Sequence, residues 1–232
     1  MEIGLSEALL HVVMERIYVL YALLNDIFQR AITLNKLEQR RNLAHVLSRM
    51  NLKRGEKVLD FGCGTGLFAE VFRRRNLEYI GYDIDSRLTS YAGNLYSDCR
   101  FTTSRDLVQS LGPFHLTVLN CCAHHIPDEL LIQELAFINC LLAEDGTLLL
   151  IDLLDPGESC GLGRRLLMQL ERGAFLRSEQ RYVSLIRDVF SITGVTRGRL
   201  HVLSLTARWN PFHYESVVIE AHKAGVQKSI RD

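Results

Sequence analysis

Leu9, Leu10, Val13, Ile17, Leu20 and Leu24 recur at spacings of three and four, an apolar stripe that predicts a helix near the N-terminus. Ser6 stands where that helix would be capped. A second helix is predicted over 36–50, and Arg54-Gly55 then interrupts the pattern. From Lys57 onward short apolar runs alternate with helical ones, as in parallel strand–helix–strand units. Strands are predicted over 57–61, 79–82, 99–102, 116–119 and 147–152, with helices over 66–74, 86–95, 106–111 and 127–142 between them. Thr147-Leu148-Leu149-Leu150-Ile151 is almost continuously apolar, which suits a strand covered on both faces. Beyond Pro156 a glycine-rich stretch leads to helices over 164–175 and 182–190. Two extended runs, 199–207 and 214–222, flank Trp209-Asn210-Pro211 and predict a closing antiparallel hairpin. Five strands and a hairpin give a seven-stranded, doubly wound, mostly parallel α/β sheet with helices in front of it.

Composition narrows what such a sheet would serve. The 232 residues suit one α/β domain with an accessory segment. The division predicted is an N-terminal helical cap over 1–54 and a core over 55–232, with a lid-like insertion at about 156–180. Lys+Arg and Asp+Glu both number 27, so the net charge is zero. Phosphate-gripping proteins usually carry a basic excess, so no nucleic-acid partner is expected. The six cysteines contain no C-x-x-C pair and read as free, buried thiols in a reducing cytosol, with no metal expected. The apolar run over 8–28 is broken by Glu15, Arg16, Asn25 and Asp26 and lacks a basic leader. No membrane span is predicted, and a cytoplasmic location follows as the expectation.

The strongest chemical signal is Val58-Leu59-Asp60-Phe61-Gly62-Cys63-Gly64-Thr65-Gly66, an apolar strand entering three alternate glycines and then a helix. Glycine permits a tight strand-to-helix turn and lets a ligand approach the backbone. A tight turn alone would also use it, but this placement favours a nucleotide site. Dinucleotide enzymes usually space the third glycine one residue later, where the turn meets a pyrophosphate. Here the acid Asp60 precedes the loop. A carboxylate would repel pyrophosphate and could pair with an amino group. The spacing therefore disfavours a nicotinamide-dependent oxidoreductase. A second acid, Asp83, ends the run Tyr79-Ile80-Gly81-Tyr82. It could accept both ribose hydroxyls of an adenosyl group, or Asp85 and Ser86 beside it could simply open the next helix.

Together these features resemble motif I and its neighbouring acid in the class I, Rossmann-fold S-adenosylmethionine methyltransferases of small-molecule type. Phe114-His115-Leu116-Thr117-Val118-Leu119-Asn120-Cys121-Cys122-Ala123-His124-His125-Ile126 is similar to that family's fourth strand. The resemblance covers about 57–155. It implies S-adenosyl-L-methionine as cofactor, with S-adenosyl-L-homocysteine as product. It also implies cofactor contacts at Asp60, Gly62, Cys63, Gly64, Gly66, Asp83, Ile84, Ser104, Asn120 and Cys121. The chain departs from the family at Ser104, His115 and Cys121, where relatives often carry acids. No Asn/Asp-Pro-Pro-aromatic motif follows the fourth strand, which argues against methylation of an exocyclic base nitrogen.

The expected function is methyl transfer to a small, apolar or aromatic acceptor on oxygen or carbon. Where the acceptor is a hydroxyl or an acidic carbon, a base must remove a proton. His124 is the first candidate, because the end of the fourth strand opens into the crevice where such sheets bind ligands. His124 and His125 could equally cap or pack against the next helix. His213 is a second candidate, with Tyr214, if the tail hairpin reaches the pocket. The segment Tyr21-Ala22-Leu23-Leu24-Asn25-Asp26 is similar to the quinone-type C-methyltransferases. Tyr18, Tyr21 and Phe28 would cover an acceptor or pack on the sheet, and the N-terminal helices could support an oligomer. The alternatives are a non-catalytic binding protein of the same fold and a protein or RNA methyltransferase.

Overall fold

Successive residues of the central strands face opposite layers, and both layers are dry. In β1 (Lys57–Phe61), Leu59 and Phe61 enter one hydrophobic cluster while Val58 enters the other. Leu148 and Leu150 divide from Leu149 and Ile151 in the same way along β5 (Leu142–Leu153). This period-two alternation with both faces apolar is what a sheet wrapped on both sides requires.

The computed structural model describes residues 34–157, 175–201 and 213–224. The helices predicted over the first thirty or so positions, Tyr18, Tyr21 and Phe28, Cys160, the helix over 164–175, and most of the lid-like insertion fall outside the described residues.

The described elements are α1 (Leu34–Ser48), β1, α2 (Ala69–Arg73), β2 (Glu78–Tyr82), α3 (Ser86–Leu95), β3 (Arg100–Thr102) and α4 (Arg105–Leu111). They continue with β4 (Phe114–Asn120), a 3-10 turn at Ala123–His125, α5 (Asp128–Leu141), β5, α6 (Glu179–Arg187), β6 (Phe190–His201) and β7 (His213–Lys223). The seven strands are ordered β3-β2-β1-β4-β5-β7-β6. β1 to β5 run parallel, and β7 is antiparallel to both β5 and β6. The expected seven-stranded sheet with a terminal hairpin is the one observed.

Leu131, Leu135, Ile138 and Leu141 of α5 pack with Tyr182, Leu185 and Ile186 of α6 on one face. Leu43 and Leu47 of α1 join Ala69, Val71 and Phe72 of α2 on the other. Each such fully buried leucine contributes about 1.5–3 kcal/mol. Side-chain caps fix several helix starts. The Asp85 carboxylate accepts from Arg87 N–H, the Ser104 hydroxyl from Leu107 N–H, and the Ser178 hydroxyl from Arg181 N–H.

Three expectations need correction. The helix predicted over 182–190 spans Glu179–Arg187, because Ser178 caps it earlier and Phe190 opens β6. The first hairpin strand begins at Phe190 rather than 199. As the outermost strand it carries exposed polar residues and a register shift between Ile192 and Gly194, which erase the apolar pattern. The cysteines are not uniformly buried either: among the described residues only Cys63 is, while Cys140 is exposed. Cys140 falls off the Leu131–Leu135–Ile138–Leu141 stripe that α5 turns inward.

Candidate active site

Strand order reverses between β1 and β4, since β1 leads outward to β2 and β3 while β4 leads to β5. In open α/β sheets that reversal leaves a crevice at the carboxyl ends of the strands. The glycine loop after β1 and the turn after β4 flank it.

The loop is built from backbone bonds. The N–H groups of Gly62 and Cys63 both donate to the Tyr82 carbonyl, at 2.8 and 3.0 Å, tying the loop to the end of β2. Gly62 has φ +79°, and a Cβ there would stand 2.2 Å from Cys122 Sγ. Only glycine meets both conditions. Gly62→Ala is expected to destabilise the chain by about 2 kcal/mol or more, through strain and a clash with the turn after β4. A chemical melt showing no loss would refute this contact. Gly64 differs: φ is +51°, and nothing lies within 4 Å of a built Cβ, so its surface is open to a ligand.

Asp83 links loop and helix. One carboxylate oxygen accepts from Gly64 N–H at 2.8 Å and the other from Asp85 N–H at 3.0 Å. Burial raises its pKa above the usual carboxylate range, and these amide donors pull it back down. The helix-capping role belongs to Asp85, so Asp83 is left at the strand tip. Next to it Ile84 is 85% exposed, an apolar side chain held in water at the crevice. Ser104 follows β3, but its hydroxyl is engaged in capping α4.

Asp60 is 1% exposed and accepts a 2.7 Å hydrogen bond from the Tyr79 hydroxyl. Burial pushes its carboxyl up to about 7, against the pull of the Tyr79 bond and with a small addition from Asp83. Burial likewise raises the Cys63 and Cys122 thiols, so both stay protonated near neutral pH.

The second wall follows β4. Asn120 pairs with Ile151, and Cys121 turns the chain with φ +50° while its N–H donates to the Ile151 carbonyl at 2.8 Å. The chain then enters the turn carrying His124 and His125. The His124 ring is buried, with Nδ1 bonded to Asp152 Oδ1, and its backbone N–H donates to Asp152 Oδ2 at 3.0 Å. Asp152 Oδ1 also accepts from Leu153 N–H at 2.7 Å. A carboxylate can only accept, so it holds the imidazole proton on Nδ1 and leaves Nε2 as the basic nitrogen. His125 is exposed, its ring centroid 4.1 Å from that of His124.

Sequence reasoning named His124 and missed Asp152, although the apolar run 147–151 ends in that acid. The geometry combines the two readings of the histidine pair: His124 is packed and hydrogen-bonded, and it is also oriented. His213 begins β7, paired in register with His201. Because β7 runs antiparallel to β5, that start lies at the carboxyl edge of the parallel strands. Among the described residues no group of three or more His, Cys, Asp or Glu could hold a metal ion.

The sequence profile of the family described as a methyltransferase domain matches residues 36–188, which spans β1 to α6 and both walls of the crevice. The chain belongs to the methyltransferase domain family. Within this methyltransferase family it is 32% identical over 117 residues to a ubiquinone biosynthesis O-methyltransferase of Actinobacillus pleuropneumoniae, covering 46% of this chain and 49% of that one. A Mesorhizobium japonicum protein of the same name is 31% identical over 80 residues, 32% of each chain. The chain spans half or less of the length of these curated relatives. Among solved methyltransferases, the magnesium protoporphyrin IX methyltransferase of Synechocystis with bound SAH superposes with TM-score 0.61 at 17% identity, over 82% of this chain and 84% of that one. A methyltransferase of Bacillus halodurans gives 0.60 at 15%, over 79% and 99%. These likenesses establish the methyltransferase fold. Among the described residues no helix is long and apolar enough to cross a membrane.

Proposed function

We propose that this methyltransferase transfers a methyl group from S-adenosyl-L-methionine to a hydroxyl of a small, flat, largely apolar acceptor. The observation that carries the reading is the placement of two sites at the carboxyl ends of the parallel strands, one on each side of the reversal in strand order: Asp83 with the glycine loop, and the Asp152–His124 pair. The residues present fit the cofactor. Asp83 stands at a strand tip with an open glycine backbone below it and exposed Ile84 beside it, suiting a ribose diol and a purine face. Asp60, behind the loop, is pushed up to about 7 by burial, and its ionised form would favour a cationic ligand. The cofactor supplies an electrophilic methyl. The protein then needs only to hold the acceptor in line and take its proton.

In this reading His124 Nε2, a buried atom in this structure, accepts that proton once the acceptor is seated against it, and the Asp152 carboxylate stabilises the imidazolium that results. Burial of the pair keeps bulk water from competing for the proton. The hydroxyl as the acceptor atom is supported by the partial likeness to ubiquinone O-methyltransferases. The balanced charge supports a small-molecule partner over a nucleic acid, and the thiols support a reducing, cytoplasmic setting.

The test has two arms. Labelled S-adenosylmethionine with a panel of phenols and catechols should give methylated product. No turnover on any phenol, with the cofactor bound, would leave a binding protein. In calorimetry, Asp83→Ala should weaken cofactor binding by about 1–3 kcal/mol, the loss of charge-assisted hydrogen bonds. Unchanged affinity would remove Asp83 from the cofactor site.

A further inference from the structure

The turn that bears His124 is clamped by one buried guanidinium far away in sequence. Arg177 is 4% exposed. It donates to the Ala123 carbonyl at 2.8 Å, the Ile126 carbonyl at 2.5 Å, the Phe175 carbonyl at 3.0 Å and Asp128 Oδ1 at 2.6 Å. Ala123 opens the 3-10 turn and Ile126 closes it, so a single planar group grips both ends of the segment holding His124 and His125. The segment just before Arg177 reaches the histidine directly, because Phe175 N–H donates to the His124 carbonyl at 3.0 Å. Arg177 is itself anchored. Its carbonyl accepts from Asp155 N–H, and it bridges to Leu154 just beyond β5, the strand that carries Asp152.

A buried arginine is costly unless every donor finds a partner. Here three of its four partners are carbonyls, two of them from the histidine turn. The capping of a lone helix end would not need a guanidinium that spans a turn. We infer that Arg177 is a positioning residue for the His124–Asp152 pair, locking the turn after β4 onto the end of β5 and so fixing the orientation of the His124 imidazole. The inference rests on the proposed role of His124 as base. Arg177 touches neither proposed ligand. It acts through backbone, and its planar fork is the feature a lysine cannot reproduce.

The experiment compares Arg177→Lys, Arg181→Met and His124→Gln in the full chain, with cofactor affinity, kcat, and the imidazole nitrogen resonances of His124 as readouts. Arg181 shares Asp128 with Arg177, its side chain bonding Asp128 Oδ2, so Arg181→Met controls for loss of a cation there. Arg177→Lys is expected to bind cofactor within about twofold of the parent and to lose on the order of tenfold or more in kcat, the cost of a misplaced reacting group. The His124 Nδ1 resonance should move in that variant and stay fixed in Arg181→Met. An unchanged kcat and resonance in folded Arg177→Lys would overturn the inference. So would equal losses in both arginine variants, which would mark a structural cluster only. Should Arg177→Lys not fold, Asp128→Ala, which removes one partner and keeps the guanidinium, must still shift the resonance, or the inference fails. Full turnover in His124→Gln would sink the base assignment alone, because the resonance tests Arg177 without any acceptor.

Discussion

Asp152→Asn is expected to lower methyl transfer by about 10²–10⁴-fold, the range for losing an oriented general base, while leaving cofactor affinity within about twofold. The carboxylate accepts three hydrogen bonds: His124 Nδ1–H and Leu153 N–H at one oxygen, His124 N–H at the other. An amide of the same shape has one accepting end. If its oxygen faces Nδ1–H, its NH2 meets the backbone N–H of His124. If it flips, the NH2 donates to Nδ1, the imidazole proton moves to Nε2, and the basic nitrogen is lost. Either orientation disables the pair. Single-turnover rates with a phenol that the parent methylates would measure the effect, and Asp152→Asn turning over at the parental rate would exclude a base at His124.

The glycine-loop wall of the crevice was far more readable in the sequence than the histidine wall. Asp60, Gly62, Gly64 and Asp83 lie within one strand–loop–helix–strand unit, so local pattern alone brings them together. Their strands are also buried on both faces, which writes the apolar runs plainly. Asp152 is different. A fully buried acid at the end of an apolar strand looks like a strand boundary, and its partner lies 28 positions away. Arg177 was invisible for a further reason: most of its partners are backbone carbonyls, which no side-chain pattern reports. The outer strand β6 was hidden because its residues from Ser191 to Arg199 are exposed or half-buried, so no dry face writes an apolar alternation into them.

The separation of the two walls also decides how pH should act on the protein. In the unfolded chain the Asp60 carboxyl titrates at its ordinary 3.8, whereas in the fold burial holds it up to about 7. Between those values the folded chain keeps a proton that the unfolded chain has released. Stability from this group is therefore complete below about pH 4, declines as pH rises through the window, and levels off above about 7. The gap corresponds to a loss on the order of 4 kcal/mol at most. Asp60→Asn should recover part of it: denaturant melts at pH 8 should show the variant the more stable, with the advantage shrinking toward pH 5. Cofactor binding should run the opposite way. A sulfonium ligand favours the ionised carboxylate, so affinity should rise through about pH 7 with release of a proton, detectable by calorimetry in two buffers of different ionisation enthalpy. In Asp60→Asn that pH dependence should vanish and affinity at pH 8 should fall by about 1–3 kcal/mol. A variant less stable at pH 8, yet binding as tightly as its parent, would mean that this carboxyl serves the fold and not the ligand.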